Sequence, residues 1–122
     1  MKKTLTPFSQ SVINFVKRIP HGRVATYGQI AEYVRRPDAV RGVSWILHSC
    51  SKEYELPWHR VVNKKGEISF RIGTSDFKKQ KNLLLKEKIK IVDNKIDLKI
   101  FQWQTKPRNI RNQKKSTPQI FN

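Results

Sequence analysis

The sequence predicts a single α/β domain, a winged helix-turn-helix followed by a short C-terminal β-hairpin. Three observations predict it. A chain of 122 residues with 37% hydrophobic residues supports one modest core. Between residues 7 and 48, apolar residues recur at helical spacing in runs separated by Pro- and Gly-containing breaks. Between residues 60 and 101, short apolar runs flank two turn-forming stretches, Lys64-Lys65-Gly66 and Asp93-Asn94-Lys95.

Phe8, Val12, Phe15, Val16 and Ile19 share one helical face, which predicts an amphipathic helix over 7–18 ended by Pro20 and Gly22. Thr26-Tyr27-Gly28-Gln29 reads as a capping box, with Thr26 as N-cap and Gln29 three residues on. It opens a second helix reaching about Val34. Pro37-Asp38 then breaks the chain, and Asp38 is the expected N-cap of a third helix running to about His48, with Val40, Val43 and Leu47 packing it down. Two short helices joined by a tight turn behind a longer one outline a helix-turn-helix. Arg60–Asn63 and Glu67–Phe70 flank Lys64-Lys65-Gly66, a short wing-like turn. Residues 76–88 form a further helix, with Phe77, Leu84 and Leu85 in the core. Ile89–Val92 and Ile96–Phe101 form the hairpin. The domain is expected over 1–104, and 105–122 as a polar, basic tail with too little to bury to fold.

Lys and Arg total 26 against 9 acidic residues, for a net charge of +17 and a pI near 10.5. Lys106, Arg108, Arg111, Lys114 and Lys115 carry five of those charges, leaving +12 on the folded part. A field of that size favours a polyanionic partner, DNA or RNA, and charge alone does not choose between them. The single cysteine, Cys50, excludes an internal disulfide and any paired-cysteine zinc site. His21, His48 and His59 lack metal-ligand spacing. With no apolar leader and no membrane-length run, an intracellular protein is expected, in the cytoplasm if bacterial or the nucleus if eukaryotic.

Pro57-Trp58-His59-Arg60 carries the most specific signal, together with Ile19-Pro20-His21-Gly22-Arg23-Val24-Ala25-Thr26-Tyr27-Gly28-Gln29-Ile30-Ala31 upstream and Val61-Val62-Asn63-Lys64-Lys65-Gly66-Glu67-Ile68 downstream. Over about residues 5–108 the chain resembles the C-terminal, DNA-binding domain of O6-alkylguanine-DNA alkyltransferases, whose acceptor cysteine lies in a Pro-Cys-His-Arg motif. Trp58 stands at that cysteine's position. An indole is no nucleophile at neutral pH, so transfer through this position is excluded. Tryptophan there marks the alkyltransferase-like proteins, and the chain is similar to these.

The resemblance implies a non-enzymatic, monomeric sensor that needs no cofactor. It would bind O6-alkylguanine in duplex DNA, flip the base into a pocket and hand the lesion to nucleotide-excision repair proteins. Flipping is required because the O6 substituent lies inside the duplex, against the paired base. Arg41 precedes Trp58 by 17 positions, close to the interval of the arginine that fills the vacated base position in alkyltransferases. A planar, permanently charged guanidinium suits that task. Beside it, the small Ala39 and Gly42 would let the helix approach the groove. By the same resemblance, Tyr27 rotates the 3′ phosphate, and Trp58 walls the pocket with Pro57 and His59. Arg71, thirteen residues after Trp58, contacts the purine. Glu87 matches the glutamate that serves the motif histidine in active enzymes, and here would be a structural remnant with His59. Cys50, Trp45 and Lys88 depart from the family pattern, the last two where small residues or glycine are usual.

Residue by residue, blander readings stay open: a solvated Arg41 or Arg71, a half-buried Tyr27, a core Trp58. Two rival functions also remain. One is a sequence-specific helix-turn-helix regulator reading the major groove, and the other a residual methyltransferase using Cys50.

Overall fold

A computed structural model describes residues 5–105, so the tail from 106 onward lies outside the described residues. The first helix, α1 (Pro7–Arg18), starts where the Thr6 side chain accepts the Ser9 N–H and Pro7 occupies the first turn. Val12, Ile13, Phe15 and Val16 bury its inner face. A two-residue strand, β1 (Ala25–Thr26), leads into α2 (Tyr27–Tyr33), and the capping box on Thr26 and Gln29 forms as predicted.

The third helix, α3, differs from its prediction at both ends. It spans Val40–Tyr54, and Ala39 is its N-cap without a side-chain bond. Asp38 lies instead 3.8 Å from the Arg36 guanidinium, both side chains largely in water. The helix outlasts His48 because Ile46, Leu47 and Cys50 continue the buried stripe begun by Val43, until Glu55 turns the chain with φ 53°. Val40, expected to pack, is 40% exposed: it sits in the uncapped first turn, outside that stripe.

After a single 3-10 turn (Trp58–Arg60), β2 (Val61–Val62) pairs with β1, parallel, Ala25 with Val61 and Thr26 with Val62. Across the wing itself, the Asn63 N–H donates to the Glu67 carbonyl at 2.9 Å. Asn63 closes the wing turn through its side chain, whose Oδ1 accepts the Lys65 and Glu67 N–H groups. Glu67 then bridges to Lys95 of the hairpin rather than extending a wing strand. The β1–β2 pair separates two apolar clusters. Ala25 and Val61 belong to the cluster of α1–α3, and Val24 and Val62 to the cluster of Ile68, Phe77, Leu84, Ile89 and Ile96. The alternation of strand side chains divides the core this way.

Helix α4 spans Ser75–Lys86, capped by Thr74. Phe77 and Leu84 are buried, but Leu85 is 46% exposed because the inward stripe runs Phe77, Gln80, Leu84, Glu87 and leaves it outside. The hairpin is short. β3 (Ile91–Val92) pairs with β4 (Lys95–Ile96) across Asp93-Asn94, both at positive φ. Leu98–Phe101, predicted as strand, is a fifth helix, α5, because Asp97 caps it by accepting the Lys99 N–H. The chain then returns to bridge Val24 through Gln102, the Trp103 N–H donating to the Val24 carbonyl at 2.7 Å. No helix among the described residues is long and apolar enough to cross a membrane.

Gly66 sits at φ 81°, and a Cβ there would land on the Ile96 carbonyl oxygen. Gly66→Ala is expected to cost about 2 kcal/mol or more, from left-handed strain plus that collision. A lowered urea midpoint at unchanged slope checks it; wild-type stability would show that the wing does not dock on the hairpin as described.

Candidate nucleic-acid interface

The turn carrying Trp58 is held by α4. Gln80, 2% exposed, donates from Nε2 to the His59 and Val61 carbonyls, both at 3.0 Å. Two helical turns further on, the Glu87 carboxylate receives four groups. His59 Nε2 donates at 2.6 Å and the Gly22 N–H at 2.8 Å. Arg60 donates through Nη2 at 2.8 Å and through Nε at 3.0 Å. Arg60 Nη1 also reaches the Ile19 carbonyl at 2.8 Å. Because an ionised carboxylate only accepts, His59 must carry its proton on Nε2. Burial raises the Glu87 pKa, but the bonds from Arg60, Gly22 and His59 and the Arg60 charge outweigh it, lowering it from 4.5 to about 2. One carboxylate thus ties α4 to the α1–β1 loop and to the motif turn.

Trp58 rides on this turn, half-buried against the α1–α3 cluster. Its indole meets the Phe70 ring edge-to-face, centroids 6.1 Å apart, and the His59 ring at 6.2 Å. Lys79 Nζ lies 6.0 Å from its centroid. Pro57 is half-buried beside it. Arg71 is exposed, one residue past Phe70, and is not among the groups in ring contact with Trp58. Two hollows of the surface, about 340 and 360 Å³, lie against Gln29 and Trp103 and against Tyr33 and Arg35. Neither is lined by Trp58 or by any other predicted site residue.

Tyr27 opens α2, packed on the same cluster as Trp58. Burial raises its pKa, with a hydrogen bond to the Ser69 side chain acting the other way, so the phenol stays neutral. Ser69 and Phe70 are consecutive, and that short segment therefore links Tyr27 to Trp58. Gln29 is fixed twice, capping Thr26 through Oε1 and donating through Nε2 to the Trp103 carbonyl at 2.7 Å and to Thr105 Oγ1 at 3.3 Å.

On α3, Arg41, Ser44, Trp45 and His48 are all exposed on one face, as their spacing predicts. Gly42 packs against α1. A Cβ there would press on the Phe8 ring at 3.1 Å, so its smallness admits α1. Ala39 is half-buried at the start of the helix. Cys50 is 3% exposed on the inner face, where a thiol cannot meet a DNA substrate, which removes the residual transferase reading. Among the described residues, no group of three His, Cys, Asp or Glu could hold a metal. Lys88 has φ 64°, the conformation that favours glycine at this position.

Sequence reasoning missed Phe70, Gln80, Lys79 and the forked Arg60–Glu87 contact. Gln80 was findable: a polar residue three positions after Phe77 and four before Leu84 falls on an apolar stripe.

Residues 7–89 match the family model described as 6-O-methylguanine DNA methyltransferase, DNA binding domain. Alkyltransferase-like protein 1 of Schizosaccharomyces pombe is 35% identical over 102 residues, covering 80% of this chain and 94% of that protein. A DNA base-flipping protein of Escherichia coli is 38% identical over 97 residues, covering 79% and 74%. A crystal structure of the S. pombe alkyltransferase-like protein in complex with damaged DNA containing O6-carboxymethylguanine superimposes with a TM-score of 0.74 at 33% identity, over 84% of this chain and 100% of that one. The chain belongs to the family of the 6-O-methylguanine DNA methyltransferase DNA-binding domain, among its non-enzymatic alkyltransferase-like members.

Proposed function

We propose that this protein is a sensor of O6-alkylguanine in duplex DNA that flips the damaged base toward Trp58 and passes the lesion to nucleotide-excision repair. The observation that carries the reading is an indole seated on a motif turn whose His59, Arg60 and Glu87 network is intact. The support of an activated nucleophile is kept while the nucleophile is gone, so recognition is what the site can still do. The base-flipping protein of E. coli and the S. pombe complex with damaged DNA point the same way.

In this reading Arg41, exposed on α3, fills the position the nucleotide leaves. Tyr27 directs its phenol at the backbone phosphate beside the lesion. Trp58, with Pro57, His59 and Phe70, provides the wall on which the alkylated base rests, and Arg71 closes over the purine from the segment after Phe70. Ala39 keeps the start of α3 slim, and Gly42 sets its distance from α1. The protein works as a monomer, without a cofactor, wherever the cell keeps its DNA. A helix-turn-helix regulator would not need an aromatic corner joined to Tyr27 through Ser69 and Phe70.

Titrating an O6-methylguanine duplex and its unmodified match tests the reading, with intact protein mass recorded on the same samples. Tighter binding of the lesion duplex with unchanged protein mass is expected. Equal affinity for both duplexes, or a stoichiometric mass gain of one methyl group, would overturn it.

The tail should act on all DNA alike. With about five phosphates neutralised, log affinity should fall against log salt with a slope of about −4 to −5. Deleting residues 106–122 keeps Thr105 against Gln29 and removes five positive charges. Both duplexes should bind more weakly and the slope should flatten. Loss of lesion preference alone would instead place the tail at the base.

A further inference from the structure

Trp45 is 62% exposed on α3, although an indole is among the costliest side chains to leave in water. The fold does not need it. Val43, Ile46, Leu47 and Cys50 supply the inner face of the helix, and no ring contact joins Trp45 to another described residue. Along α3 its neighbours carry no negative charge. Arg41 lies one turn before it, Ser44 and His48 flank it, and α3 carries no acidic residue until Glu53. An isolated aromatic on a cationic helix face fits a polyanion that also offers apolar surface.

We propose that Trp45 is a second DNA-inserting side chain, which packs into the groove that Arg41 enters, one helical turn along α3, and wedges it open. The proposal rests on reading α3 as the face that meets DNA. Four residues along an α-helix advance about 6 Å, so Arg41 and Trp45 address the same short stretch of groove. Apolar side chains placed between base steps or against deoxyribose walls unstack and bend a duplex toward the major groove. Division of labour follows: Arg41 replaces the missing base, and Trp45 holds the groove wide beside it. The indole also supplies apolar contact that is indifferent to base identity, so it serves any sequence around the lesion.

Trp45→Ala and Trp45→Phe, each with melting temperature recorded, test this against duplexes carrying end-to-end energy-transfer dyes and 2-aminopurine at the target site. Trp45→Ala is expected to melt like wild type and bind the lesion duplex about tenfold more weakly, the scale of one lost stacking contact. The bend should shrink, while 2-aminopurine still brightens at saturating protein because Arg41 is present. Trp45→Phe should retain most of the affinity. The wild-type-minus-variant tryptophan emission should become shielded from acrylamide when duplex binds. Affinity within twofold of wild type, with bend and quenching unchanged, would overturn the proposal and leave the indole for a protein surface. The quenching readout works on undamaged duplex too, so absence of lesion preference would sink the sensor reading without deciding the fate of Trp45.

Discussion

Glu87→Ala is expected to destabilise the fold by about 3–5 kcal/mol, the range for removing one partner from a buried charge pair. The carboxylate is 9% exposed and takes bonds from His59, Arg60 and the Gly22 N–H. Without it, Arg60 keeps only its bond to the Ile19 carbonyl, its charge loses its counter-ion, and the Gly22 N–H loses its acceptor. Glu87 is also the C-cap of α4, where a negative charge is unfavourable to the helix dipole. Only the cationic and N–H partners make its position tolerable. Glu87→Gln keeps the shape and some of the bonds and should cost less. Urea unfolding at pH 7 checks both, and a loss under 1 kcal/mol in Glu87→Ala would show that the network is ornamental to stability.

The same group sets an acid limit. Its pKa in the folded chain, about 2, lies below the ordinary 4.5, so its contribution is complete above about pH 4.5 and is lost as pH falls toward 2. Allowing for solvent screening at the rim, that contribution is roughly 2 kcal/mol. Wild-type stability should therefore fall across that window, and Glu87→Gln should lose the part of the slope that Glu87 supplies.

Arg41→Ala should weaken binding to O6-methylguanine duplex by about 1–3 kcal/mol while leaving the melting temperature unchanged. The side chain is exposed and makes no contact that holds α3, whose packing runs through Val43, Ile46, Leu47 and Cys50. Its proposed work begins only when a base has left the stack, so the loss belongs to the flipped complex. A 2-aminopurine at the target position should brighten with wild type and stay dim with Arg41→Ala. Tight lesion binding without brightening in either protein would mean that the lesion is read while stacked. Tyr27→Phe is the companion variant: it keeps the ring against the core and removes the hydroxyl that now bonds Ser69.

Local chemistry made much of this legible. The Thr26–Gln29 capping box, the α1 stripe and the Asp93-Asn94 turn each depend on neighbours in the chain, and each formed as read. The loss of the nucleophile is likewise a property of one residue, Trp58, and needs no coordinates. Where the reading failed, a distant partner decided. Asp38 had the chemistry of an N-cap, yet the start of α3 is set by where its stripe docks on α1 and α2. Gly42 lies against the Phe8 ring, thirty-four positions earlier, a contact that no local pattern announces. Leu98–Phe101 alternated like a strand until Asp97 capped it as a helix.

Read in order, the residues establish a basic α/β fold with a helix-turn-helix and an indole in place of a reactive thiol. Packing placed β2 beside β1, set the Phe70 ring against Trp58 and let Glu87 join three segments at once. Periodicity and capping act over a few residues and are written in order along the chain. Strand partners, ring contacts and shared carboxylates depend on which surfaces meet after collapse, and that is settled by packing all the elements together.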